Sequence, residues 1–185
     1  PGRLYYTAHL NVARPVADAP PLDAGISVER SYQAFALEED ESASVSVSSA
    51  AVGEMIQVHL TLTLENEAYY LAVEDHIPAG AEILDANLKT SQQIAEEPEP
   101  AYDPSNPFEN GWGWWYFNDP QIYADRITWS VDYLPAGTYE LTYTLTLNQP
   151  GQYQVLPARA WQFYFPEVQG TGAGMIFEII RVVAQ

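Results

Sequence analysis

Three stretches of this chain alternate strictly between apolar and polar residues, and that period of two constrains the fold more than any other feature. Leu4, Tyr6, Ala8, Leu10 and Val12 alternate with Tyr5, Thr7, His9 and Asn11. Ile56, Val58, Leu60, Leu62 and Leu64 alternate with Gln57, His59, Thr61 and Thr63. Tyr139, Leu141, Tyr143, Leu145 and Leu147 alternate with Glu140, Thr142, Thr144 and Thr146. Successive side chains of a strand point to opposite faces, so each stretch offers one face to a core and one to water, as antiparallel sheets do. The abundance of threonine and tyrosine agrees.

Further strands are expected at about 26–34, 44–48, 70–75, 81–88, 122–132, 152–160 and 174–183. Turn signals separate them at Pro20-Pro21, Ala51-Val52-Gly53, Pro78-Ala79-Gly80, Pro135-Ala136-Gly137 and Pro150-Gly151. About nine short strands punctuated in this way predict an all-β, antiparallel β-sandwich of the immunoglobulin-like kind. No long segment has a helical period; Thr90–Glu97 would hold at most one turn of helix. Residues 1–185 read as a single domain. An acidic tip is expected at LEEDE (37–41) and a long aromatic-rich loop insertion at 95–118, whose prolines forbid a central strand.

Composition then removes function classes. The 185 residues carry 25 acidic against seven basic side chains, a net charge of -18, which argues against a nucleic-acid partner because phosphate neutralisation needs clustered Lys and Arg. The same charge disfavours anionic membranes, and no apolar run approaches a membrane span, so no membrane insertion by this segment is expected. With 47% hydrophobic residues the chain is too apolar to stay disordered. Absence of cysteine removes disulfides, thiol nucleophiles and thiolate metal sites. The chain opens at Pro1 and reads as a mature product or as a piece of a longer exported protein.

Little else in the sequence points to chemistry. His9, His59 and His76 have no metal-ligand spacing, and no metal or cofactor is expected. Glu74-Asp75, Glu96-Glu97 and Asp103 are read as a solvated acidic face rather than as a catalytic or calcium-binding pair, since no calcium-loop pattern accompanies them. Gly170-Thr171-Gly172-Ala173-Gly174 lacks the lysine and the strand–helix context of a phosphate loop and is read as a flexible turn. No catalytic motif is present, so the chain is read as a non-enzyme. Trp112, Trp114, Trp115, Tyr116 and Phe117 form the densest aromatic cluster. Three readings stay open for them: a lid or part of the core, a protein interface, or a platform of a carbohydrate-binding or adhesive module.

The ordered phrases LYYTAHL, APPLDAGISVERSYQAF, GEMIQVHLTLTLENEAYYLAVEDHIPAGAEILD, DRITWSVDYLPAGTYELTY, PGQYQVLPARA and GMIFEI carry a resemblance. Together they resemble the C-terminal MG10 domain of bacterial alpha-2-macroglobulins across nearly the whole chain. That resemblance implies a macroglobulin-like sandwich within a large, periplasmic or envelope-associated protease trap. In such a trap a protease cuts a bait segment and a buried thioester elsewhere in the chain captures it. The partners implied are the thioester domain and neighbouring domains of the parent chain, with target proteases engaged only indirectly. The resemblance also implies a shielding lock over the thioester, a methionine–tyrosine pair in the stretch matching 160–167. Tyr164 matches the tyrosine, and Phe163, stiffer but still apolar, stands where methionine is usual. Pro166 and Glu167 complete the implied contact. Vertebrate relatives dock receptors through lysines on this domain; here Lys89 stands alone, so that mode is not expected.

Overall fold

A computed structural model of the chain describes residues 3, 5–10, 12–13, 15–34, 46–84 and 113–181. The LEEDE tip, Lys89, Trp112 and positions 95–111 of the expected insertion lie outside the described residues. The described part is all-β, with thirteen strands and two short 3-10 turns.

In chain order the strands are β1 (Leu22–Ala24), β2 (Ile26–Ala34), β3 (Ser49–Ala51), β4 (Met55–Leu64), β5 (Ala68–His76), β6 (Ala81–Ile83) and β7 (Gln121–Ile122). They continue as β8 (Arg126–Leu134), β9 (Gly137–Leu147), β10 (Gly151–Val155), β11 (Arg159–Gln162), β12 (Gln169–Thr171) and β13 (Met175–Ile180). A six-stranded sheet runs β1-β12-β11-β5-β8-β7, a four-stranded sheet runs β2-β4-β9-β6, and a three-stranded sheet runs β10-β13-β3. The strand pairs are antiparallel except β13 with β3, which run parallel.

The alternation of β4 and β9 does what the sequence predicts. Ile56, Val58, Leu60, Leu62 and Leu64 are buried, as are Tyr139, Leu141, Tyr143, Leu145 and Leu147 on the neighbouring strand. They face Leu71 and Val73 of β5 and Ile127, Trp129 and Val131 of β8 in one core cluster. Trp129 meets Tyr143 across the two sheets with ring centroids 5.9 Å apart. Two tyrosine corners close strand ends: the Tyr139 hydroxyl donates to the Pro135 carbonyl (2.8 Å) and the Tyr153 hydroxyl to that of Gln149 (3.1 Å).

Four expectations are corrected. The stretch Leu4–Val12 is not a strand in its described residues: Tyr5 and Tyr6 are each 83% exposed and pair with nothing in a ladder. Alternation makes a strand only where a sheet edge receives it, and no described edge does. The expected strand 122–132 is broken by a bend at Tyr123–Asp125, giving β7 and β8. The expected strand 152–160 is broken around Pro157, and its halves, β10 and β11, join different sheets. The glycine-rich 170–174 is not simply a turn. Gly170 and Thr171 lie in β12, and Gly170 is buried where an added Cβ would collide with the Ile26 carbonyl oxygen. Glycine there permits a close backbone crossing over β2.

Candidate functional site

A polar knot lies between the sheets. On β2, residues 26, 28, 30 and 32 point inward; on β5, residues 71, 73 and 75 do. This parity brings Arg30 against Asp75. The two form an ion pair at 2.6 Å with side chains 3% and 0% exposed. The other carboxylate oxygen of Asp75 accepts from the Tyr143 hydroxyl at 2.7 Å. Arg30 Nη1 also donates to the Leu156 carbonyl (3.0 Å) and the His76 carbonyl (3.3 Å). Burial, the largest influence on Asp75, raises its pKa, while Arg30 and the Tyr143 hydrogen bond oppose the rise. Burial likewise pushes the Tyr143 and Tyr32 hydroxyls above the ordinary tyrosine value. The knot ties β2, β5 and β9 together through Arg30, Asp75 and Tyr143, and Asp75 is fully buried in it. Asp75 is therefore no part of a solvated acidic face.

Neighbouring Glu74 points the other way, to the outer face, where it meets Arg159 (3.0 Å) and Arg126 (3.3 Å). Adjacent strand residues face opposite sides, so Glu74 and Asp75 cannot work as a carboxylate pair. Nor does the fold gather the histidines. His9 is exposed before β1, His59 meets Glu140 on the outer face of the four-stranded sheet, and His76 lies 4.0 Å from Glu74 on the six-stranded one. Among the described residues no group of His, Asp and Glu side chains could hold a metal ion.

One group of exposed aromatic side chains instead lies together at one end of the six-stranded sheet. The loop from β11 to β12 carries Phe163, Tyr164 and Phe165, which are 67%, 64% and 54% exposed, followed by exposed Pro166 and Glu167. This loop is held firmly. Phe163 N–H donates to the Tyr70 carbonyl (2.9 Å), Val168 N–H to that of Phe165 (2.9 Å), and Gln162 N–H to that of Val168 (3.1 Å). The rings hold one another as well: Tyr164 stands edge-on to Phe163 at 5.3 Å and to Tyr70 at 5.1 Å.

The surface continues across β5 and β8. Both strands slip phase together here. Ala68 and Leu71 are buried, as are Val131 and Leu134, leaving Tyr69, Tyr70, Asp132 and Tyr133 exposed between them. Tyr69 and Tyr133 pair across the strands with rings 5.2 Å apart, and both hydroxyls donate to Glu67 at 3.2 Å. The bond to Glu67, foremost, and the nearby Tyr116 raise the Tyr133 pKa.

Tyr116 belongs to the second part of the expected aromatic site. A 3-10 turn, Trp114–Tyr116, follows Gly113, whose φ of 76° suits glycine. Trp114, Trp115 and Tyr116 are exposed, Phe117 is half-buried against the core, and Tyr116 and Phe117 both stand edge-on to Tyr139. The Trp114 and Trp115 rings lie at 77° to each other, so they do not form the flat platform on which a sugar ring stacks. Sequence reasoning named Phe163, Tyr164 and Trp114–Phe117 but missed Tyr69, Tyr70 and Tyr133, whose exposure depends on the phase slip.

Comparison with known proteins agrees with the fold. Residues 25–167 match the family described as the bacterial alpha-2-macroglobulin MG10 domain. An alpha-2-macroglobulin homolog of Nostoc sp. is 26% identical over 125 residues, covering 68% of this chain and 6% of that protein. Escherichia coli alpha-2-macroglobulin activated by porcine elastase superposes with a TM-score of 0.67 at 22% identity, over 87% of this chain and 14% of that one. A tyrosine-to-glycine mutant of Salmonella alpha-2-macroglobulin gives 0.65 at 20% identity, over 87% of this chain and 10% of that one. The chain thus spans a small fraction of the length of the relatives it matches. With the family match running from the start of β2 into the aromatic loop, the chain belongs to the bacterial alpha-2-macroglobulin MG10 domain family.

Proposed function

We propose that residues 1–185 form the non-catalytic C-terminal domain of a bacterial, exported alpha-2-macroglobulin-like protease trap. Its aromatic end packs against the parent's thioester domain and keeps water from the thioester until a protease triggers the trap. The observation that carries this reading is the loop bearing Phe163 and Tyr164. Its rings are about two-thirds exposed, yet backbone bonds to β5 and two edge-on contacts fix them. Exposed aromatic side chains on a rigid mount are anchors for a partner surface, since little ordering entropy is lost on docking. Phe163 fills an apolar pocket in place of methionine, and Tyr164 adds a hydroxyl for a polar rim. Chemistry is left to the rest of the parent, because this chain has no cysteine to form a thioester.

The test is methylamine incorporation by a parent protein that carries the reactive cysteine. Replacing Tyr164 with alanine removes an anchor of about 2 kcal/mol or more, which corresponds to roughly 30-fold faster incorporation. An unchanged rate would sink the shielding role.

A further inference from the structure

We propose that Tyr70 is the positioning residue of this aromatic end: it aims Tyr164 at the neighbouring domain of the same parent chain. The inference rests on the docking reading above and names the device behind it.

Tyr70 is the one non-glycine residue among those described with a positive φ, 50°. A bulky residue in that region is strained, and such strain persists only where its surroundings hold it. No turn accounts for it, because β5 holds the same register with β8 on both sides, Tyr69↔Tyr133 before it and Leu71↔Val131 after it, while Tyr70 itself drops out of the ladder. The left-handed residue instead resets the alternation of β5. Leu71, Val73 and Asp75 stay inward while Tyr69 and Tyr70 both reach solvent. Tyr70 then meets the loop twice. Its carbonyl accepts the Phe163 N–H at 2.9 Å, and its ring stands at 88° to Tyr164 with centroids 5.1 Å apart. Edge-to-face contacts are directional because the ring edge is positive and the face negative. Tyr164 is therefore held between Phe163 and Tyr70, each nearly perpendicular to it. The occupant of this surface is a domain of the same polypeptide. The chain covers only 10% and 14% of the two solved relatives named above, and an apolar patch on a chain of net charge -18 suits a tethered partner that needs no charge steering.

Amide exchange of residues 163–168 in the intact parent protein tests the proposal. Tyr70→Gly and Tyr70→Asn both favour the left-handed backbone and relieve its strain, so they remove the ring without a folding penalty. Either is expected to speed exchange of the loop by about 2- to 10-fold, the range an edge-on aromatic pair implies. Tyr70→Phe keeps the ring edge and is expected to match the wild type. In a Tyr164→Ala background the Tyr70 variants are expected to add nothing, because the contact is already gone. If Tyr164→Ala speeds exchange but Tyr70→Gly and Tyr70→Asn do not, the positioning role is overturned while docking stands. If Tyr164→Ala itself changes nothing, the docking reading falls and takes this inference with it.

Discussion

Replacing Asp75 with alanine should be the most damaging single truncation in the polar knot. Arg30 stays charged: burial opposes its charge, but Asp75 and the nearby tyrosines more than offset this and raise its pKa. Its side chain is 3% exposed, and two of its nitrogens, Nε and Nη2, already lack a protein partner. Loss of the carboxylate strands that charge between two sheets and also frees the Tyr143 hydroxyl. Breaking a buried pair from one side costs about 3–5 kcal/mol. For a chain of this size each kcal/mol lowers Tm by about 2–4 °C, so thermal unfolding should shift down by about 6–20 °C. The companion variant Arg30→Met, Asp75→Leu, Tyr143→Phe removes charge and partners together and should recover most of the loss, since apolar replacement of a buried pair is often neutral or better. Calorimetry and urea unfolding of both variants decide it. A loss under about 1 kcal/mol in Asp75→Ala, or a triple variant as unstable as the single one, would refute the reasoning.

Three further outcomes follow from the structure. Gly170→Ala should cost about 1–3 kcal/mol by urea unfolding, because the added Cβ meets backbone at Ile26 that cannot rotate away. Alkaline unfolding should be steep: burial raises the Tyr32 and Tyr143 pKa values, so the folded chain keeps protons that the unfolded chain releases above about pH 10, and stability falls as pH rises through that value. Each of these two tyrosines should add up to about 1.4 kcal/mol per pH unit to the slope, and Tyr143→Phe should make it shallower, as urea unfolding between pH 8 and 11 would record. Deleting residues 1–14 should leave the Tm of the 185-residue chain unchanged, because the described residues of that segment are exposed and unpaired; a drop of several degrees would contradict this.

The strands that sequence reasoning located well are those whose neighbours supply what the pattern assumes. The bounds of β2 match the expected 26–34, and β4 and β9 extend their alternating stretches by a residue or two, because these three strands pair side by side around the core. Leu4–Val12 has the same local pattern but no described edge to join, and pairing is a non-local fact. Pro157 and the bend at Tyr123 were visible as residues, but not the change of sheet between β10 and β11. Gln169–Thr171 was missed because its glycine looks like a turn residue, whereas it answers to the approach of another strand. The Arg30–Asp75 pair left a legible trace, since both charges fall on the inward parity of their strands. At the candidate site, the exposed loop at Phe163–Glu167 was reached through resemblance and the Trp114–Phe117 cluster through composition. Tyr70 was not legible, because nothing in ENEAYYLAVED announces a left-handed residue in mid-strand.

Side-chain footprinting of Tyr164 in the intact parent, before and after cleavage by a protease, tests docking of the aromatic end most directly. Tyr164 and Phe163 should be strongly protected in the native parent and should lose that protection once the parent is cleaved. Labelling equally fast in both states would contradict docking.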